Sequence, residues 1–215
     1  MNYVKKFIII GTFLLALASA IGLPFVYESQ TLWYKIGLDK TMLRAGQLSG
    51  MLALTLLFTQ VFLAVGGPFL EKTFGLKKIM SWHRTGGVLI AFFALFHVLL
   101  ILIPEGLANL PIGKKFWPEM VGSLLLWVIV AMVISSRYRE KLKLNYKRWR
   151  TIHKPLGYMA ISFVVIHVLY VSDSFEQAAP RSALVVIFML VLSRIVWVKL
   201  SALILKKRRG ETKLT

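Results

Sequence analysis

Ser81-Trp82-His83-Arg84-Thr85-Gly86-Gly87 opens an apolar stretch that runs on to a second histidine, His97, and the same interval recurs once, from His153 to His167. These four are the only histidines in the 215-residue chain, and each pair is fourteen residues apart. On an α-helix fourteen residues rise about 21 Å and fall roughly 40° short of four full turns, so both members of a pair lie on one face at two depths. Two such helices facing each other offer two histidine pairs, one above the other.

The setting comes from composition. Hydrophobic residues make up 57% of the chain and the mean hydropathy is +0.70, far above the soluble average, in a chain too short for two ordinary domains. This is the composition of a membrane protein. A formal net charge of +18 would suggest nucleic acid in a soluble chain. Here the lysines and arginines sit between apolar runs of membrane length, so the partner implied is the lipid bilayer and no nucleic acid. There is no cysteine, which excludes disulfides, thiolate-bound iron–sulfur clusters, cysteine-ligated zinc and cysteine nucleophiles. Histidine is left as the strong nitrogen ligand.

Six apolar runs are predicted to span the membrane. The first, Phe7 to Tyr27, follows Lys5 and Lys6 and has two readings, a transmembrane helix or a secretory signal cut after Ala18-Ser19-Ala20. The helix is favoured because the run continues through Ile21, Leu23, Phe25 and Val26. The second runs from about Leu43 to Phe69, the third from about Ser81 to Ile103, where Pro104-Glu105-Gly106 ends it. After a loop from Asn109 to Pro118 comes the fourth, about Met120 to Ser136, with Trp117 and Trp127 as candidate anchor and packing aromatics. The fifth runs from about Ile152 to Val171, and the sixth from about Ser182 to Leu205, ending in Lys206-Lys207-Arg208-Arg209.

Six spans put both termini on one side. The N-terminus, the second and fourth connections and the C-terminal part, with Arg84, Lys154, Arg194 and Lys199 included, hold 21 of the Lys and Arg residues, while the other three connections hold 6. By the positive-inside rule the termini are cytoplasmic. The third and fifth spans then run parallel from inside to outside, with His83 and His153 at the inner level and His97 and His167 at the outer level. The expected organisation is a first helix and outer loop over residues 1–42, a histidine-bearing transmembrane domain over 43–205, and a basic cytoplasmic tail over 206–215.

Paired imidazoles at two depths in a membrane are the geometry for two stacked haems, each iron held by one imidazole from each helix. The competing reading makes the four histidines interfacial or packed polar residues. Against it, ionisable groups inside a membrane are costly and are usually kept for a function. Metal-ion transport fits less well, since no Asp or Glu falls inside a predicted span and histidines about 21 Å apart on one helix cannot share an ion. A flat porphyrin needs small residues beside the ligand, and Gly86, Gly87 and Gly157 follow His83 and His153 at three- and four-residue spacing on the ligand's own face. Close helix packing explains these glycines equally well. Propionates need cations: Arg84, Arg150 and Lys154 are candidates inside, Arg44 or Arg181 outside. Arg194, in the inner half of the sixth span, is a further candidate, with snorkelling to the cytoplasmic face the alternative. Phe92, Phe93, Phe96 and Phe163 fall between the two levels, either filling that gap or facing lipid.

His83-Arg84-Thr85-Gly86-Gly87 with thirteen residues between its histidines, and Lys147-Arg148-Trp149-Arg150-Thr151-Ile152-His153 followed by His167, resemble the ferric reductase-like transmembrane domain. That superfamily includes ferric reductases, NADPH oxidases and the haem-binding membrane subunit of the periplasmic methionine sulfoxide reductase system. The resemblance covers about Arg44 to Lys199, and its specific part is the paired histidines. It implies haem ligation by His83, His97, His153 and His167, and inward-to-outward electron transfer through two b-type haems. Ferric reductases and NADPH oxidases continue into a cytoplasmic FAD and NAD(P)H domain, for which the tail after the sixth span leaves no room. Flavin is therefore expected only on a partner or weakly bound. The methionine sulfoxide reductase subunit is likewise short, but it generally lacks a histidine at the position of His83.

The expectation is an all-α, polytopic bundle of six transmembrane helices in the cell (inner) membrane, without catalytic side chains of its own. It would serve as the electron-transfer subunit of an oxidoreductase, passing electrons from a cytoplasmic flavoprotein reductase through two haems b to an outer acceptor. That acceptor is a ferric chelate, dioxygen or a periplasmic reductase. The rivals are a cytochrome b fed from the quinol pool, the haem subunit of a methionine sulfoxide reductase system, and a haem-free membrane scaffold.

Overall fold

The computed structural model describes residues 2–106 and 110–211. Its elements in chain order are α1 (Asn2–Val26), α2 (Gly37–Val65), α3 (Gly67–Phe74), α4 (Leu76–Glu105), α5 (Trp117–Arg137), α6 (Tyr146–Val171) and α7 (Ala178–Glu211), with short 3₁₀ turns at Gln30–Tyr34, Lys114–Phe116 and Asp173–Phe175. Six of these helices are long and apolar enough to cross a membrane: Tyr3–Val26, Gly37–Val65, Leu76–Glu105, the Lys114–Arg137 stretch, Tyr146–Val171 and Ala178–Ser201. Each exceeds the roughly 20 residues that a hydrocarbon core requires. The all-helical, six-span expectation is met, and α1 continues unbroken through Ala18-Ser19-Ala20 to Val26.

Boundaries follow local chemistry. The second span stops at Val65, short of the expected Phe69, because Gly67 adopts φ +55 and Pro68 starts the separate eight-residue α3. Gly75 and Gly106, at φ +82 and +80, bound α4, and the Gly106 N–H caps the carbonyls of Leu102 and Ile103. Asn145 caps the start of α6 by accepting from the Arg148 N–H at 2.8 Å. Of the basic tail, residues 206–211 continue α7, and 212–215 lie outside the described residues, as does Asn109 of the expected third loop.

Lipid tails are as apolar as leucine, so helices in a bilayer associate through close packing and interhelical hydrogen bonds rather than through expulsion of water. α2 packs most extensively on α4, and α5 on α6. The central cluster includes Leu54 and Leu57 from α2, Ile90 from α4, Leu125, Val128 and Ile129 from α5, and Ala160, Val164 and Val165 from α6. Phe163 packs against this cluster, whereas Phe92 and Phe96 stack on each other at 4.5 Å and are exposed toward lipid. Trp127 is 68% exposed, so it faces lipid and does not pack inward, while Trp117 meets Tyr170 at 5.1 Å near one end of the bundle.

That end is tied by polar contacts. Arg44 donates to the Pro24 carbonyl at 2.6 Å, pairs with Glu28 and lies over the Phe25 ring. The last carbonyls of a helix lack partners within it, so Arg44 acts as a cap on α1. Ser29 donates to Asp173 and Ser174 to the Tyr27 carbonyl, which fastens the α1–α2 connection to the α6–α7 connection. Lys35 and Glu105 pair at 3.1 Å. Replacing Arg44 by Ala strips both the Pro24 carbonyl and Glu28 of their partner, at a cost of roughly 1–3 kcal/mol. The expected result is a lower thermal midpoint in detergent, partly restored in Arg44→Lys; an unchanged midpoint would show that this junction adds nothing to stability.

Candidate functional site

α4 carries His83 and His97, and α6 carries His153 and His167. The structure brings them together as two pairs. The His83 and His153 ring centres are 6.3 Å apart with their planes at 67°, and the His97 and His167 centres are 6.3 Å apart at 77°. Both pairs can form only if α4 and α6 run in the same direction. Each of these helices leans mainly on another partner, α4 on α2 and α6 on α5. The two histidine-bearing helices therefore face each other across a slot whose width is set from outside.

Each ring is aimed by its Nδ1. His97 Nδ1 is 2.9 Å from the Gly46 carbonyl, and His167 Nδ1 is 3.0 Å from the Pro118 carbonyl. A carbonyl only accepts, so the proton resides on Nδ1 and the lone pair on Nε2, which is free to bind a metal. The His83 ring has the Gln60 backbone as its neighbour on α2. At His153 a side chain intervenes. The Ser136 hydroxyl donates its single hydrogen to the Met132 carbonyl at 2.6 Å. Its oxygen then accepts from the Trp149 indole N–H at 3.3 Å and faces His153 Nδ1 at 3.5 Å. With that hydrogen already committed, His153 also carries its proton on Nδ1.

The acceptor positions repeat the histidine interval. Gly46 and Gln60 are fourteen residues apart on α2, and Pro118 and Met132 are fourteen apart on α5. α2 runs antiparallel to α4 and α5 antiparallel to α6, so one fourteen-residue register sets the donors on one helix and the acceptors on its neighbour. The pairs α2/α4 and α5/α6 are thus two copies of one unit.

Four residues after Gly46 and after Pro118 stands a glycine, Gly50 or Gly122. A Cβ at Gly50 would come within 2.9 Å of His97 Nδ1, and one at Gly122 within 2.5 Å of the His167 ring, closer than real Cβ atoms approach. The His97 and His167 rings therefore lie against bare helix turns. Gly46, Gly50, Gly122, Pro118 and Ser136 are the positions that the sequence reading missed. None is on a histidine-bearing helix, and the signal that could have found them is the fourteen-residue echo of the histidine spacing.

The glycines singled out from the sequence behave differently. Gly86 is buried, and a Cβ there would overlap the Gln60 side chain of α2, so it makes room for a neighbouring helix. Gly157 meets only the Met132 methyl, at 3.8 Å, and Gly87 faces open space. Among the cations, Arg84 is exposed and bonds back to the Met80 carbonyl of its own helix at 3.4 Å. Arg194 and Arg181 are exposed on α7, Arg150 and Lys154 on α6. Arg44 is engaged with α1, its charge already balanced by Glu28.

Among the described residues no three His, Cys, Asp or Glu side chains converge on one point. A bare transition-metal ion wants four or more ligands and would find only two here, on opposite sides. Two opposed imidazoles instead suit a metal that brings its own equatorial donors. A metal–imidazole bond of about 2.0–2.1 Å, plus about 1.1 Å from ring nitrogen to ring centre, places two opposed rings about 6.3 Å apart. Both pairs have this separation. The donor set and the spacing fit a haem at each level.

The family described as ferric reductase like transmembrane component matches residues 49–164, a stretch that takes in α4, α5 and three of the four histidines. A protein of Archaeoglobus fulgidus, described as uncharacterized, is 30% identical over 128 residues, which cover 55% of this chain and 70% of that protein. No solved structure matches the chain. With more than half its length matched and paired histidines at both depths of a six-span bundle, the chain belongs to the ferric reductase-like transmembrane component family.

Proposed function

We propose that this protein carries electrons across the cell membrane through two b-type haems, one held by His83 and His153 and the other by His97 and His167. The donor is a cytoplasmic flavoprotein reductase, and the acceptor, a ferric chelate, dioxygen or a periplasmic reductase, meets the protein at the outer face. The single observation that carries this reading is the equal 6.3 Å opposition of both histidine pairs, with acceptors for Nδ1 that leave Nε2 free. Family membership supports it, because ferric reductase-like domains generally bind haem and membrane electron transfer is their common activity. The charge asymmetry supports the orientation: the end bearing Arg137 to Arg150 faces the cytoplasm.

Bound at these sites, haem iron supplies one-electron redox chemistry. The chain supplies the rest. The Nδ1–H donations hold the ring planes and strengthen Nε2 as a donor. Ile90, Val164 and Phe163 keep the interval between levels, about 21 Å along the helices, dry and apolar. No side chain is assigned an acid, base or nucleophilic role.

Purified protein is expected to bind two low-spin haems per chain in a pyridine haemochrome assay. His83→Ala and His153→Ala should each remove one and the same haem, and His97→Ala and His167→Ala the other. Loss of a single shared haem in both His83→Ala and His97→Ala would overturn the stacked arrangement. One haem on fully loaded wild type would move the protein toward the methionine sulfoxide reductase subunit.

The aiming contacts differ between levels, and substitutions there should separate them. Gly50→Val or Gly122→Val pushes an outer ring off its turn, so the outer haem should be lost and the inner one retained. Ser136→Ala removes the acceptor of His153 Nδ1–H without crowding the ring. The inner haem should stay bound while its midpoint potential rises by tens of millivolts, since a weaker Nε2 donor favours the ferric state less. Ser136→Thr should restore the wild-type value, and an unmoved potential in Ser136→Ala would show that this hydroxyl does not tune the site.

Lys141 and Lys143 project from the exposed turn between α5 and α6, close to the His83/His153 level. Reversing both to Glu should slow haem reduction by a flavin reductase with NAD(P)H and leave haem content and reduction by dithionite unchanged. Added salt should slow the wild type in the same way. Indifference to both treatments, together with reduction by a quinol, would favour a quinol-fed cytochrome b.

A further inference from the structure

At the start of α6, Lys147, Arg150 and Lys154 follow one another at three- and four-residue spacing and so share one helix stripe. With Tyr146 and Thr151 they line a cavity of about 300 Å³. Lys199 converges on the same stripe from α7, its ammonium lying 4.5 Å from the centre of the Tyr158 ring, one turn beyond Lys154. Like charges at this spacing oppose each other along a helix. Among the described residues no carboxylate pairs with any of the four, and the nearest in sequence, Glu140, is engaged by Arg139 at 3.6 Å. The stripe holds an arginine fork and three ammonium groups, donors that suit a phosphate.

Position narrows the source of that phosphate. The stripe lies at the end of a membrane-spanning helix, where lipid headgroups reside, and not in the extended turn before it. We propose that the cavity over the first two turns of α6, on the stripe that Lys199 of α7 approaches, is a specific site for the headgroup of an anionic phospholipid. Arg150 and Lys154 clasp the phosphodiester, with Lys147 and Lys199 at its sides. The bound lipid neutralises the stripe and joins α7, which has few contacts with the rest of the bundle, to α6.

Native mass spectrometry of the delipidated full chain, with palmitoyl-oleoyl phosphatidylglycerol or the matching phosphatidylcholine added, tests this. Wild type should retain one phosphatidylglycerol per chain with about tenfold or greater preference over phosphatidylcholine. Arg150→Gln/Lys154→Gln should bring that preference close to one, whereas Lys141→Gln/Lys143→Gln, which removes the same charge from the neighbouring turn, should keep it. Equal retention of the two lipids by wild type overturns the proposal, and so does an equal loss in both double variants. Displacement of phosphatidylglycerol by millimolar inorganic phosphate would mark a free-anion site and likewise exclude the lipid. Should Arg150→Gln/Lys154→Gln fail to fold, the wild-type comparison of the two lipids and phosphate still decides. Loss of haem together with lipid preference in that variant would assign these cations to the haem site and overturn the lipid reading.

Discussion

The hydrogen bond from a histidine Nδ1 to the backbone of the adjacent antiparallel helix is the constraint on which the rest of this bundle depends. It settles three things at once. It fixes the tautomer, because a carbonyl cannot donate. It fixes the direction of the ring, with Nε2 turned toward the opposite helix. It also fixes the register between helices, because His97 reaches Gly46 only when α2 and α4 are aligned to within one residue. The same holds for His167 and Pro118 across α5 and α6. In hydrocarbon an unpaired ring N–H is expensive, so the register that satisfies both levels is strongly favoured over its neighbours.

Glycine makes this hydrogen bond short enough to form. An imidazole can reach a helix carbonyl only if the next turn is bare, and at the His97/His167 level that turn carries Gly50 or Gly122. At the other level the corresponding positions, four residues past Gln60 and Met132, are Ala64 and Ser136. Ser136 has enough bulk to stand between His153 and the Met132 carbonyl, and it relays the contact through its hydroxyl. One level is therefore held by backbone alone, and the other partly by a side chain that substitution can alter. The two histidine pairs thereby differ in imidazole basicity, which would set metals held there at different potentials.

The bundle separates support from function. The α2/α4 and α5/α6 pairs pack tightly, while α4 and α6 face each other across a slot that their own packing does not close. Polar ties cluster at one end, where Arg44, Ser29 and Ser174 fasten connecting segments, and exposed cations cluster at the other. The two ends thus present different surfaces, one cross-linked by hydrogen bonds and one open to anionic partners.

The sequence by itself determined the six apolar spans, the all-helical class and the two depths at which histidines stand, because hydropathy and a fourteen-residue interval are properties of one helix at a time. The broken end of the second span was legible too, in Gly66-Gly67-Pro68, although the run of apolar residues obscured it. What lay on other helices was not legible. That Gly86 accommodates Gln60, that Arg44 caps α1, and that Gly50, Gly122 and Ser136 set the histidine rings are facts about which helices touch. In a membrane, where lipid-facing and core-facing residues are alike mostly apolar, hydropathy carries no record of neighbours. Only the tertiary structure, by choosing α2 for α4 and α5 for α6, decided which carbonyl each imidazole would meet.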